Sequence, residues 1–227
     1  MTVDNNTVTE LAEYLLQRAA DTPDGRFVVA ISGVAGSGKS YLSERIGSAV
    51  NALNGAKQQQ QQEICVVLPM DGFHLTKAQL AAMDDPETAF ARRGAPWTFD
   101  GPRFAATVRQ ICQEPKGSSV MWPSFDHAAG DPVEGAIEVA DRHRIVIIEG
   151  LYAHVNEGPW EPVGAELVDE LWWICGSDCL ERLVKRHLEA GLAATREDAT
   201  RRAIGSDSAN GVYAETHRHA PTRCIHN

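Results

Sequence analysis

The sequence predicts an α/β/α sandwich in which helices cover both faces of a parallel central sheet. Three observations carry that prediction. Four short apolar runs, "RFVVAIS", "ICVVLPMD", "RIVIIEG" and "ELWWICG", are continuous rather than alternating, as strands buried on both faces are. Segments of helical period separate them. A glycine-rich turn joins the first run to the helix after it. At 227 residues the chain fits one domain, residues 1–227, with a single well-filled core.

The elements follow in order. From Val8 to Ala20, Val8, Leu11, Ala12, Leu15, Leu16 and Ala19 fall on one helical face, with Thr7 as the candidate cap. "DTPDG" breaks that helix and "RFVVAIS" is the first buried strand. The next helix runs from Lys39 to about Leu53, and "KQQQQQE" reads as a solvated low-complexity loop. After the second strand, "ICVVLPMD", Asp100 and Pro102 open the helix "DGPRFAATVRQICQ": an acidic cap and an early proline suit a first turn. "RIVIIEG" and "ELWWICG" are the third and fourth strands. Ser177 and Asp178, with Glu181 beyond, open "CLERLVKRHLEAG", which a glycine closes, and a last helix starts at Thr195. Residues from about 72 to 132 are too irregular and too rich in Pro, Trp, Arg and His for plain scaffold. They read as an insertion over the carboxyl edge of the sheet, where ligands of open α/β sheets bind.

A formal net charge of -10 argues against a nucleic-acid partner, which needs a basic surface. Cys65, Cys112, Cys175, Cys179 and Cys224 show neither CxxC nor zinc spacing, so free thiols are expected. No apolar run reaches membrane length, and a reducing, cytoplasmic setting without a membrane partner is expected. Oligomeric state stays open, a homodimer included.

"GVAGSGKS" satisfies G-x-x-x-x-G-K-[ST] between a predicted strand and a predicted helix, the context that a phosphate-binding P-loop requires. Gly33, Val34, Ala35, Gly36, Ser37 and Gly38 let the backbone curl so that its N–H groups face inward, and the helix beginning at Lys39, Ser40 and Tyr41 adds its positive end. Lys39 is expected on the β- and γ-phosphates of ATP, and Ser40 on Mg²⁺. Asp71 and Glu149 end the second and third strands, so both should face the same crevice. Asp71 is the candidate catalytic base; its simpler use is to cap a turn with Gly72. Glu149 stands where a strand-end acid holds Mg²⁺, with Asp71 beside it as a further oxygen donor; its simpler use is to cap the next segment. Arg182 and Arg186, four apart on one helix, share a face that could fold over a triphosphate or merely pair with Glu181 and Glu189. No Asn-Lys-x-Asp motif is present, which argues against a GTPase.

Taken in order, "GVAGSGKS", "MDGFH", "RRGAPWTFD", "PSFDHAAGDPV", "IIEGLY" and "RLVKRHLEAG" resemble the phosphoribulokinase/uridine kinase/pantothenate kinase family of P-loop kinases, from about Phe27 to Asn210. Within it, "DGFH" with "RRGAPWTFD" is similar to the pantothenate-kinase-like and fructose-operon-kinase-like branch. The resemblance implies a P-loop NTPase fold with an acceptor-binding insertion and a helical lid at about 177–210. It also implies that Asp71 is the catalytic base, that Arg186 belongs to the lid, and that Trp97 and Phe125 to His127 line the acceptor pocket. Asn210 falls where that branch carries an asparagine after the lid.

Around that pocket, His74 could meet an acceptor oxygen or steady Asp71. Arg92 and Arg93 could bind an anionic acceptor or pair with Asp84, Asp85 or Glu87. Trp97, Phe99 and Phe125 suit an aromatic wall or simply core, and Asp126 and His127 are polar groups in an aromatic segment. His217 and His219 read as a plain tail rather than a metal pair. The expected activity is ATP-dependent, Mg²⁺-assisted phosphoryl transfer to a hydroxyl of a small metabolite: a sugar, a nucleoside or a pantothenate-like acid. The rival is a regulatory or assembly ATPase that acts on a protein partner.

Overall fold

The computed structural model describes residues 3–22, 25–58, 62–113, 117–126 and 128–227. Its strands are β1 (Phe27–Ser32), β2 (Cys65–Pro69), the hairpin β3 (Val120–Asp126) and β4 (Asp131–Val139), β5 (Ile145–Glu149), β6 (Glu170–Cys175) and β7 (Arg223–His226). Five of them form a sheet in the order β2-β5-β1-β6-β7, every pair parallel. Strand order reverses at β1, so a crevice opens beyond its carboxyl end, at the glycine-rich turn.

The helices are α1 (Asn5–Ala20), α2 (Lys39–Gln58), α3 (Lys77–Ala81), α4 (Pro86–Ala91), α5 (Gly101–Gln113), α6 (Cys179–Glu189), α7 (Arg196–Arg202) and α8 (Ser208–Thr216). The period of two along β1 divides the core between the sheet's faces. Phe27, Val29 and Ile31 pack with α1 and α2, whereas Val28 and Ala30 pack toward α5, the hairpin and α8. Each such Val, Ile or Phe side chain, fully buried, stabilises the fold by about 1.5–3 kcal/mol before chain entropy is counted. A third cluster, Leu183, Val184, Ala199 and Ala203, joins α6 to α7 and the turn after it, with Ala35 of the glycine-rich turn packed against it.

The structure corrects several boundaries. The cap of α1 is Asp4, whose carboxylate accepts from the Thr7 N–H; Thr7 is therefore a donor inside the first turn, and the helix starts earlier than Val8. Helix α2 runs on to Gln58, and residues 59–61 of the glutamine-rich stretch lie outside the described residues. Asp178 does not cap α6 through its side chain; it sits at φ +53° ahead of Cys179. Asp100 does cap α5, accepting from Arg103 N–H at 3.0 Å, and Thr195 caps α7. The insertion ends in a hairpin that reaches Val139, past the expected limit near 132. The tail forms β7 against β6. Among the described residues, all five cysteines are free and no helix is long and apolar enough to cross a membrane.

Candidate active site

The turn after β1 is built on backbone that side chains would obstruct. Gly36 and Gly38 have φ of +79° and +88°, and a Cβ on either would collide, with the Cys179 carbonyl oxygen or with Asn227 Nδ2. Ser37 N–H donates to the Val34 carbonyl at 3.0 Å, which closes the loop, and α2 begins at Lys39. Successive N–H groups and a helix N-terminus of 20 residues together favour a bound anion. Tyr41, more than half exposed, stands outside the loop with Arg45 over its ring.

Glu149 is the register partner of both Ile31 of β1 and Pro69 of β2, so it emerges between the two strand ends that carry the loop and Asp71. Burial is the main force on it and pushes its carboxyl up to about 7. The Lys39 ammonium and a hydrogen bond from Ser40 pull the other way, while Asp71 and Glu44 add to the rise. Lys39, Ser40, Asp71 and Glu44 thus all lie near enough to Glu149 to act on its charge. A desolvated acid among other carboxylates is relieved by a cation, and a hydroxyl with carboxylates is a hard oxygen set suited to Mg²⁺. Among the described residues no three His, Cys, Asp or Glu are grouped so as to hold a metal ion by themselves.

Asp71 lies in a tight turn, Met70–Phe73, whose backbone is held from every side. Trp122 Nε1 donates to the Pro69 carbonyl at 2.9 Å, and Asp100 N–H to the Phe73 carbonyl at 2.8 Å. The buried Phe73 ring meets Phe104 and Trp122 edge-on. His74 Nδ1 and His74 N–H both donate to the Asp71 carbonyl oxygen, at 2.8 and 3.1 Å. His74 therefore steadies the aspartate through its main chain, with its ring against Phe99 and Phe125.

The two arginines of "RRG" separate. Arg93 donates to the carbonyls of Gly130 at 2.6 Å and Leu75 at 2.9 Å, reaches Asp131 at 3.4 Å and lies over the Phe125 ring. It ties the hairpin tip to the turn after β2. Arg92 is exposed and near enough to the Tyr152 hydroxyl to act on its charge. Trp97 is 48% exposed at the rim, whereas Phe99 is core. Asp126 accepts from the N–H groups of Ala128 and Ala129 and so shapes its own hairpin turn. His127 lies outside the described residues.

On helix α6, Arg182 folds back to donate to the Ser177 carbonyl. Arg186, one turn on, is exposed and makes no ion pair among the described residues. Between the loop residues Val34 and Ala35, helix α6 and helix α8 lies a cleft of about 240 Å³. Asn210 is 4% exposed and faces Gly94, while its neighbour Gly211 lies against Val34, so α8 wedges between the loop and "RRG". His217 and His219 do not converge: one reaches the Tyr213 carbonyl and the other the Glu161 carbonyl.

Tyr152 and Glu44 carry no motif that singled them out in the sequence analysis. Tyr152, fully buried, donates its hydroxyl to the Gly94 carbonyl at 2.6 Å, and burial raises its pKa well above the tyrosine range. Glu44, one turn along α2 from Ser40, adds a second carboxylate near Glu149. The spacing of Ser40 and Glu44 on one helix was the available signal for Glu44.

The sequence model of the phosphoribulokinase/uridine kinase family matches residues 28–171. Over 198 residues, 86% of this chain and 81% of the relative, the chain is 37% identical to a Schizosaccharomyces pombe protein provisionally named a uridine kinase. It is 43% identical over 146 residues, 62% of this chain, to an Aspergillus versicolor ATP-dependent kinase-like protein, notR', and spans 84% of that protein. The crystal structure of a Silicibacter sp. protein provisionally named a fructose transport system kinase superposes with a TM-score of 0.81 at 32% identity, covering 99% of both chains.

Proposed function

The chain belongs to the phosphoribulokinase/uridine kinase family of ATP-dependent kinases, and on that premise we propose that it transfers the γ-phosphoryl group of ATP to a hydroxyl of a small metabolite. The supporting observation is that the buried Glu149, at the end of its strand beside the phosphate loop, feels Lys39, Ser40 and Asp71, with Asp71 just past the end of the neighbouring strand. Ser40 and Glu149 would hold Mg²⁺, with Asp71 close by; bound there, the ion supplies positive charge to the transferring phosphates. Lys39 neutralises the phosphates from the loop. Asp71, its backbone fixed by His74, accepts the proton of the attacking hydroxyl. Arg186 approaches as the lid closes and excludes water, which limits hydrolysis. The acceptor is a sugar, nucleoside or pantothenate-like alcohol, bounded by Arg92, Trp97, Phe125 and Asn210.

The test is a mass-spectrometric screen of pooled metabolites with ATP and Mg²⁺, run beside Asp71→Asn. One new phosphorylated species, reduced by about two orders of magnitude or more in a variant that still binds ATP, is the expected result. Equal transfer by both proteins sinks the base assignment, and ATP cleavage with no new species sinks the small-acceptor reading.

A further inference from the structure

We propose that Asn227 is a positioning residue of the phosphate loop: its side-chain amide sets the direction of the Ser37–Gly38 peptide and so aims the Gly38 N–H into the cradle. The inference rests on the nucleotide site described above. Asn227 Nδ2 donates to the Ser37 carbonyl oxygen at 2.7 Å, a buried bond. A trans peptide is planar, with its C=O and N–H pointing in opposite directions. Holding the Ser37 carbonyl on Asn227 therefore turns the N–H of the same unit, that of Gly38, the other way, to the phosphates.

Only asparagine fits these partners. Oδ1 accepts the Val3 N–H at 2.9 Å while Nδ2 serves Ser37, so one end must be an acceptor and the other a donor. The main chain of the residue is fixed as well: its N–H donates to the Cys175 carbonyl at 2.9 Å, and its carbonyl accepts from Ser177 N–H at 3.0 Å. The residue is 8% exposed, and a Cβ on Gly38 would strike its amide, so loop and side chain are in direct contact. The support closes on itself, because the Val3 carbonyl takes a hydrogen bond of 2.7 Å from Arg45 of α2, the helix that the loop opens.

Asn227→Asp keeps the size and the acceptor for Val3 but sets an oxygen against the Ser37 carbonyl. Calorimetric titration with ADP, ATP and AMP tests the consequence. The loop's N–H groups serve the α- and β-phosphates and AMP lacks the second, so ADP and ATP affinity falls about tenfold or more, while AMP affinity falls by a clearly smaller factor. Val3→Pro removes the bond to Oδ1 and a buried valine side chain but leaves Nδ2 on Ser37; it lowers the melting temperature and leaves ADP affinity within about threefold. Should Asn227→Asp fail to fold, Asn227→Ser, too short to reach Ser37, replaces it with the same expectation. ADP affinity equal to wild type, or AMP and ADP weakened in parallel, overturns the proposal. Wild-type protein that binds no ADP overturns the nucleotide site itself, a separate outcome visible before any variant is made.

Discussion

The Tyr152 hydroxyl donates to the carbonyl oxygen of Gly94 at 2.6 Å and so joins the loop beyond the strand-end acid Glu149 to the "RRG" turn of the insertion. Both ends of that bond sit close to the crevice, yet neither residue needs to touch a substrate. The bond makes the position of Arg92 depend on the strand that carries Glu149.

Tyr152→Phe tests this coupling. It leaves the Gly94 carbonyl without its donor, and the expected loss of stability is about 1–3 kcal/mol. ATP affinity should not change, whereas KM for the acceptor should rise several-fold as Arg92 loosens. Thermal melting and separate titration of the two substrates provide the check. A variant with weakened ATP binding and normal acceptor KM contradicts the assignment.

Arg92 and Arg93 should behave as opposites. Arg93→Ala removes the donors to Gly130 and Leu75, so the hairpin tip loosens, and melting temperature and hydrogen-exchange protection near 128–131 both fall. Arg92→Ala should melt like wild type and lose acceptor affinity alone. The reverse pattern would assign the binding role to Arg93.

Two buried groups give opposing pH slopes. Glu149 is raised from about 4.5 to about 7, so the folded state binds the extra proton between those values, and its contribution to stability falls as pH rises through that window. His154 is depressed from about 6.5 to about 4 by burial, so the unfolded state binds the extra proton there and stability rises with pH. Each effect amounts to about 3 kcal/mol over its window, which makes them cancel across their overlap. Glu149→Gln removes one of them. Denaturant titrations from pH 4.5 to 7 without Mg²⁺ should show the variant gaining on wild type as pH rises, with up to about 3 kcal/mol at pH 7. The same variant should lose the extra stability that Mg²⁺ adds to ATP-bound protein. Parallel curves for the two proteins would show that Glu149 is not buried as an acid.

Much of this fold was legible because burial on both faces leaves a simple mark. β1, β2, β5 and β6 read as unbroken apolar runs, and the phosphate loop as small residues between a strand and a helix. The hairpin was not legible: Pro123 and Pro132 argue against strands, yet an isolated two-stranded ribbon tolerates them where a central sheet would not. β7 has only four residues, too few for any period to show. In the site, side chains placed at strand ends or in the phosphate loop could be located from the sequence, as with Asp71, Glu149 and Lys39. Tyr152 and Asn227 could not, because each acts on a main-chain carbonyl, and a carbonyl leaves no trace in a sequence. Arg93 was ambiguous for the same reason: its partners include the carbonyls of Gly130 and Leu75.

The contact between Asn227 and Val3 spans 224 positions of sequence, and that between Asn227 and Ser37 spans 190. Closing such long loops belongs to the slow part of folding, after local helices and the first strand pairs have formed. The phosphate loop itself is local and can curl early, but its support from Asn227 cannot exist until β7 has docked on β6. A chain still emerging from the ribosome would therefore carry a loop of the right sequence with weak hold on nucleotide. High-affinity ATP binding becomes a report of β7 docking, and its appearance during refolding should lag the helical signal.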